Sequence, residues 1–578
     1  MSKNTIRRIM GYIKYHPLAI AGLLLCALCS APLSLLIPVL TGRAIDCVIA
    51  PGSVDFEAIL RILRLTLLAV CASSALNWGA QALARLVSAR ISRDMRLEAF
   101  ERINRAPLSI LDTNRQGDIV SRLVGDADAV AEGLTQALAQ LFPGVVTILS
   151  TIVVMCVINI QMALIVVVVT PLSIVFARYV GTRTSNYFRD QTRAQGQISS
   201  LVGEMVGNLP VVQAMGAQRR SAAEFEALAD EYYVTCFNAT FYSSVINPGT
   251  RFVNAIVFAA VGVVGVLNAI SGNITVGGIS SFLSYASQYT RPFNEVTAAL
   301  SLVQTALAGA ERIFGIIDWA QEPPEPAEAL SPRSSEGNVR IENLSFSYSE
   351  ERPLIRDLSL EAKPGQRIAL VGPTGCGKTT LINLLMRFYD ADAGAIYIDG
   401  MPLGMLKRDS LRGLFGMVLQ DTWLKRASVS ENIAYARPDA SPDEIEDAAK
   451  TALAHGFIRR LPHGYDTVIE AGGGNLSAGQ RQLLCIARIV LAKPDILILD
   501  EATSSIDTRT EIAIQEAMEN LSRGRTSFIV AHRLSTIQKA DLILVMDNGV
   551  IIERGAHSEL LAKGGFYANL YESQFAVE

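Results

Sequence analysis

Apolar residues occupy roughly the first 310 positions in long unbroken runs, and the remainder of the chain in short alternating ones. Residues 17–40 are 24 positions without a charge, and 65–84 are another 20, bounded by Arg64 and Arg85. A membrane-spanning helix needs about 20 predominantly apolar residues, so each run predicts one span. The uncharged stretch 133–177 holds 45 residues and 252–290 holds 39. At about 1.5 Å per residue neither fits a bilayer as one helix. The first must fold back near Asn159-Ile160-Gln161 and the second near Ser271-Gly272-Asn273, which gives six spans and places both termini on one side.

The long connections 85–131 and 178–251 mix Arg with Asp and Glu at helical spacing and contain few breakers, so they predict helices that continue past the bilayer into water. Basic residues fix the side. Lys3, Arg7, Arg8 and Lys14 precede the first span and eight arginines lie within 85–131, whereas the turns at Asn159 and Ser271 carry no Lys or Arg. The positive-inside bias then makes both termini cytoplasmic. The connection 41–64, with Arg43, Arg61 and Arg64, is the exception to that pattern. Within the spans, Asn77, Gln81, Gln136, Gln140, Tyr285, Gln288, Asn294 and Glu295 are polar, as expected of residues that bond helix to helix or face a cavity.

Composition agrees with this division. Of 578 residues, 50% are hydrophobic and 18% charged, a shift toward membrane proteins. At this length more than one core is expected. The net charge of −4 comes without a basic stripe and interleaved aromatics, so nucleic acid is not an expected partner. The eight cysteines are scattered. Cys26 and Cys29 form a CxxC inside a charge-free run with no second ligand pair, which reads as packing and not as a metal site.

Chemistry is concentrated in the second half. After the Pro-rich 322–326 and a polar stretch to Gly337, residues 339–348 and 367–371 alternate or run apolar as strands. The second strand leads directly into GPTGCGKT, made of Gly372, Pro373, Thr374, Gly375, Cys376, Gly377, Lys378 and Thr379, followed by Thr380 and an apolar helical run. That strand–loop–helix context is the one a phosphate-binding loop requires. Glycines let backbone N–H groups converge on phosphates, the helix presents its positive end, Lys378 reaches β/γ oxygens, and Thr379 can hold Mg²⁺. Further on, DILILD ends in Asp500 and is followed by Glu501. Two adjacent acids at a strand end suit a Mg²⁺ carboxylate, Asp500, and a general base toward water, Glu501.

The segment LSAGQ, residues 476–480, resembles the signature motif of ATP-binding cassette (ABC) transporters, and the resemblance extends over essentially the whole chain. Six spans before one cassette resemble the exporter-type half-transporter. The resemblance implies an all-α six-helix transmembrane domain with long cytoplasmic helix extensions over residues 1–320, a linker over 321–338, and an α/β P-loop ATPase domain over 339–578. It further implies that Tyr348 stacks on adenine, that Gln420 couples Mg²⁺ and water to the membrane domain, and that His532 contacts the γ-phosphate. Ser477, Gly479 and Gln480 would address the ATP of a partner chain, and Ser504-Ser505-Ile506-Asp507 would touch the opposite cassette, which makes dimerisation part of the active site. Segments 109–130 and 203–220 resemble the two inner loops that carry coupling helices. Two departures stand out: Ala478 occupies a position where Gly is common, and Glu470 falls one place earlier than the family's acidic residue.

The implied activity is ATP-driven transport across the cell membrane with ATP and Mg²⁺ as cofactors, by alternating access, most simply export of an amphipathic or hydrophobic small molecule, lipid or peptide. The motifs do not separate export from import on the same fold, for example of metal chelates. A nucleotide-gated channel or a regulatory membrane protein would be expected to show weak hydrolysis or degenerate catalytic residues, against the intact Glu501 and His532. A homodimer is favoured over a heterodimer by the near-consensus signature.

Overall fold

The computed structural model describes residues 3–50, 53–349, 353–419, 422–500, 507–530 and 534–575. The chain forms two compact units, one of Met1–Arg105 with Asn114–Trp319, the other of Ala106–Thr113 with Ala320–Glu578.

The first unit is helical: α1 (Lys3–Lys14), α2 (Pro17–Asp46), α3 (Phe56–Asn104), then, after α4 (Leu108–Thr113), α5 (Gln116–Ser121), α6 (Ala127–Gln136), α7 (Phe142–Ile158), α8 (Ile160–Gly207), α9 (Leu209–Ala214), α10 (Gln218–Ile270) and α11 (Val276–Ile317). Two short π-helical turns, 122–126 and 137–141, join α5, α6 and α7 into one continuous rod. Among the described residues, windows long and apolar enough to cross a membrane lie in Pro17–Asp46, Phe56–Asn104, Gln116–Ile158 and Arg251–Ile270, and α8 opens on the shorter apolar stretch Ile160–Pro171. The breaks fall where polar residues can cap. Asn159, with extended backbone, accepts from Met162 N–H at 3.1 Å to start α8. Gly272, at φ +72°, turns the chain between α10 and α11. The outer connection after α2 is shorter than 41–64 suggests. Helix runs to Asp46 and resumes at Phe56, so Arg43, Arg61 and Arg64 sit on helices, and the strands β1 (Val48–Ala50) and β2 (Ser53–Val54) pair between them.

The extensions beyond the apolar windows pack as in a soluble protein. Val87, Ile91, Met95 and Ala99, four residues apart on α3, are fully buried with Ala127, Val130, Ile313, Phe314 and Ile317. There the hydrophobic effect operates, about 1.5–3 kcal/mol for each large side chain. Within the spans it does not, and close approach of small residues substitutes for it. Gly42 of α2 and Gly277 of α11 meet so tightly that a Cβ on Gly277 would lie 1.9 Å from the Gly42 carbonyl oxygen.

The second unit holds two sheets. Antiparallel strands β3 (Val339–Ser347), β4 (Pro353–Ala362), β6 (Ala393–Ile398) and β7 (Met401–Pro402) are ordered β4-β3-β6-β7. The second sheet has the order β12-β11-β5-β10-β9-β8, built from β5 (Arg367–Val371), β8 (Phe415–Val418), β9 (Ile496–Asp500), β10 (Thr526–Val530), β11 (Leu542–Asp547) and β12 (Val550–Gly555), all parallel except β12. RIALV, ILILD, TSFIV and LILVMD are nearly continuous apolar runs because both faces of a parallel sheet are covered. The helices of this unit that matter below are α12 (Lys378–Leu385), α13 (Arg408–Leu414), α14 (Val429–Ile433), α15 (Pro442–Thr451), α16 (His455–Ile458), α17 (Ala478–Ala492) and α18 (Thr508–Ser522).

The stretch expected to act as a linker is docked on this unit. Leu330 exchanges backbone hydrogen bonds with Met405 and Lys407, at 2.8 and 2.9 Å. Arg408, 5% exposed, donates to the Pro323 carbonyl, and Arg412 donates to Glu322 at 2.6 Å.

Candidate nucleotide site

Parallel strands deliver several loops to one edge of the sheet, the carboxyl edge where ligands of open α/β sheets bind. Asp500 at the end of β9 is in register with Val530 of β10, and Val530 with Leu370 of β5. Val418 of β8 is in register with Leu499. The segments that follow β5, β8, β9 and β10 are therefore the phosphate loop, the Gln420 loop, the Asp500-Glu501 pair and the His532 loop. Gln420, Glu501, Ser504, Ser505, Ile506 and His532 themselves lie outside the described residues.

The phosphate loop has the backbone that its glycines permit. Gly372, Gly375 and Gly377 have φ of +152°, +84° and +107°. At Gly372 a Cβ would stand 2.1 Å from the Met546 carbonyl oxygen, so no other residue fits. Gly377 is the N-cap of α12, whose first N–H groups face the loop. Pro373, Thr374 and Gly375 form the exposed rim, and Thr379 is exposed beside them, while Thr380 is buried. Lys378, only 7% exposed, donates from Nζ to the carbonyls of Gly372 and Pro373 at 2.6 and 3.0 Å. The cation is thus held within the loop, next to the positive end of α12.

Cys376 faces inward. It is 3% exposed, and its sulfur lies 3.7 Å from Lys378 Nζ. Its carbonyl accepts from Gly549 N–H at 3.1 Å. Asn548 and Gly549, both at positive φ (+45° and +80°), make the tight turn between β11 and β12. That brace was not singled out from the sequence, although Asn-Gly between two apolar runs is a hairpin signal.

Tyr348 just beyond β3 is 52% exposed, and its ring stands edge-on to Phe346 (centroids 5.0 Å, 85°) and Tyr389 (5.1 Å, 89°). Its hydroxyl accepts from Asn383 of α12 at 3.4 Å. An exposed, supported ring beside the phosphate-loop helix is a suitable platform for a base. Tyr389 in turn donates to Asp112 at 2.6 Å.

Ser477 caps α17 in a reciprocal box: its hydroxyl accepts from Gln480 N–H at 3.2 Å and Gln480 Oε1 accepts from Ser477 N–H at 3.0 Å. Ser477 is exposed and Gly479 buried, so the helix end is open toward solvent. Asp507 likewise caps α18 by accepting from Thr510 N–H at 3.2 Å.

In the membrane unit the polar residues separate. Tyr285 is fully buried and donates to the Leu35 carbonyl, so it bonds helix to helix, and Gln136 donates to Glu132 at 3.0 Å. The side chains of Asn294 and Glu295 lie outside the described ones. A shallow groove of about 530 Å³, open to the surface of this unit, is lined chiefly by Leu35, Leu36, Val39, Leu149, Val153 and Tyr285.

A family model described as ABC transporter transmembrane region matches residues 20–293, and one described as ABC transporter matches 355–504. The chain is 41% identical over 520 residues to a fatty acid ABC transporter ATP-binding/permease protein of Mycobacterium tuberculosis, covering 90% of this chain and 82% of that one. It is 34% identical over 587 residues to the ATP-dependent lipid A-core flippase of Thiobacillus denitrificans, covering 100% and 99%. Among solved structures, a bacterial Atm1-family ABC exporter with ATP bound superposes with a TM-score of 0.77 at 28% identity, over 96% of this chain and 98% of the other.

Proposed function

Because this chain belongs to the ABC transporter family as an exporter-type half-transporter, we propose that it pairs with a second identical chain and exports a lipid, a fatty acid or another hydrophobic molecule from the cytoplasmic side of the cell membrane. ATP hydrolysis coupled to transport, dimerisation and a bilayer setting follow from family membership. The substrate class rests on two supports. Relatives of this chain include a fatty acid transporter and a lipid A-core flippase, and the open groove beside Tyr285 is lined mostly by aliphatic side chains, a surface suited to an acyl chain.

The observation that carries the mechanism is the register of β5, β10 and β9, which sets the phosphate loop and Asp500 on one edge, two strands apart. Nucleotide phosphates would be held by the loop N–H groups, by Lys378 and by the end of α12, with adenine on Tyr348. The hydroxyl of Thr379 and the carboxylate of Asp500 are hard oxygen donors, the set that Mg²⁺ prefers, and the ion would offset charge on the β- and γ-phosphates. Glu501 would take a proton from the attacking water, His532 would contact the γ-phosphate, and Gln420 would report on the site to the membrane domain. Ser477, Gly479 and Gln480, at the open end of α17, would close over the partner's nucleotide, so that ATP joins the two ATPase domains. Hydrolysis would then release them, and the spans would alternate between inward and outward states.

The experiment is the chain alone in nanodiscs, assayed for Mg²⁺-dependent, vanadate-sensitive ATP hydrolysis against Glu501→Gln. Activity that falls at least about 100-fold in the variant supports a self-sufficient homodimer with Glu501 as base. A folded sample without activity contradicts the homodimer. Direction is read separately, by ATP-driven uptake of a labelled fatty acid into proteoliposomes with outward-facing ATPase domains. Loss from the lumen instead would overturn export.

A further inference from the structure

Three aromatic rings meet at the base end of the nucleotide site. Tyr348 and Tyr389 stand edge-to-face at 5.1 Å and 89°, and Phe346, buried beneath, touches both, at 5.0 Å from Tyr348 and 5.6 Å from Tyr389. In such a triad one ring cannot tilt without displacing another. Tyr348 is the exposed member and Tyr389 is half-buried. The hydroxyl of Tyr389 points away from the triad and donates to Asp112 Oδ2 at 2.6 Å, the short length of a hydrogen bond to a carboxylate. Burial, and after it the Asp112 carboxylate, push the Tyr389 phenol well above its ordinary range, so it remains a donor at all physiological pH.

Asp112 lies on α4, within the short segment Ala106–Thr113 that belongs to the second unit although the chain on both sides of it belongs to the first. No residue of α4 is buried, so its position depends on surface contacts such as this one. Asn104, the last residue of the 49-residue helix α3, precedes Asp112 by eight positions, and α5 begins four positions after it. Only short connections, residues 105–107 and 114–115, join α4 to the helices on either side of it in the chain.

We infer that Tyr389 is a positioning residue which ties the base platform at Tyr348 to the first inner-loop helix, so that occupancy of the platform is transmitted to residues 106–113 through the Tyr389–Asp112 hydrogen bond. This rests on the functional reading above, in which Tyr348 receives the adenine. It adds that the base, and not only the phosphates, addresses this loop.

The test uses the full chain in nanodiscs, with hydrogen exchange of the 106–113 segment followed with and without Mg²⁺ and ATPγS, and the KM for ATP measured in parallel. In the wild type the nucleotide slows exchange in this segment. Tyr389→Phe keeps the ring and removes the donor; Asp112→Asn removes the charged acceptor. Each reduces the nucleotide-dependent slowing about ten-fold, the double variant reduces it no further, and KM stays within about two-fold. Tyr389→Leu, which also withdraws the ring behind Tyr348, raises KM. A Tyr389→Phe protein that responds like the wild type, or single effects that add in the double variant, overturns the inference and leaves the transporter reading intact. A wild-type chain that does not bind ATP overturns both.

Discussion

The backbone N–H of Gly549 donates to the carbonyl of Cys376 at 3.1 Å, which fastens the β11–β12 turn to the middle of the phosphate loop. The same turn is pressed against β4: a Cβ on Gly549 would lie 1.4 Å from the Leu354 carbonyl oxygen, and the residue sits at φ +80°. Neither the space nor the torsion accepts a side chain. Gly549→Ala should therefore lower stability by at least about 2 kcal/mol and remove the stabilisation that MgATP gives the wild type. Thermal melts with and without MgATP measure both. An unchanged melting temperature would mean that the turn yields freely and does not brace the loop.

Cys376 occupies a place where small thiol reagents should act slowly and decisively. Its side chain is buried against Lys378 and beside Gly372, so an added group has to displace the loop. Alkylation should abolish hydrolysis, with MgATP slowing the reaction further because it holds the loop closed over the sulfur. Cys376→Ala should keep activity and lose this sensitivity. Equal inactivation of the variant by the reagent would place the responsible thiol elsewhere.

How far the sequence could be read depended on the range of the interaction that fixes each feature. The spans are legible because a bilayer imposes a length and an absence of charge within one continuous stretch. The reversal at Asn159 is legible because its cap is local, its partner being only three residues away. The phosphate loop is legible because its chemistry is contiguous from Gly372 to Thr379. What the pattern of residues did not disclose is long-range. Nothing local says that Gly549 meets Cys376, that Glu322 and Leu330 pin an apparently loose linker to α13 and the short turn before it, or that Tyr389 finds Asp112, 277 positions away. Such contacts exist only once the sheets are formed. The two π-helical turns are hidden for a related reason, since helix propensity does not distinguish the bonding pattern at 122–126 or 137–141 from that of an ordinary α-helix.

The ring of Tyr348 should contribute to nucleotide affinity through its face, and its hydroxyl should contribute little. The hydroxyl's partner, Asn383, stands at a long 3.4 Å, whereas the ring is held by two edge-to-face neighbours. Stacking a base on an aromatic ring is worth about 1–3 kcal/mol. Tyr348→Leu should raise the KM for ATP about ten-fold with kcat little changed, and Tyr348→Phe should leave both within about two-fold. Isothermal titration of the Glu501→Gln protein with MgATP gives the affinity without turnover. A Phe variant as impaired as the Leu variant would assign the work to the hydroxyl.

At the far end of the membrane unit, Asp46 closes α2 onto α11. Its carboxylate accepts from the Thr275 hydroxyl and from Gly277 N–H, both at 2.8 Å, and so supplies an anion to the exposed N–H groups of the α11 start. Below it Gly42 and Gly277 touch backbone to backbone, and Ser281 donates to the Pro38 carbonyl at 2.8 Å. The contact recurs at each turn, and the small residues make it possible. Asp46→Ala leaves the helix's own cap, Thr275 accepting from Gly278 N–H at 3.0 Å, and leaves the helices free to approach; it removes only the anion beside Gly277 N–H, which should cost about 1 kcal/mol. Gly277→Ala keeps the Asp46 carboxylate but forbids the approach and crowds that carboxylate as well, since its Cβ would fall 1.9 Å from the Gly42 oxygen and 2.6 Å from the Asp46 carboxylate. The added methyl group can be accommodated only by moving the helices apart, so this variant should be the more damaging of the two. Heating half-lives in nanodiscs rank them, because unfolding of a chain this size is governed by rate. If Asp46→Ala proved the worse, the carboxylate would be the principal fastener and the glycine contact a consequence of it.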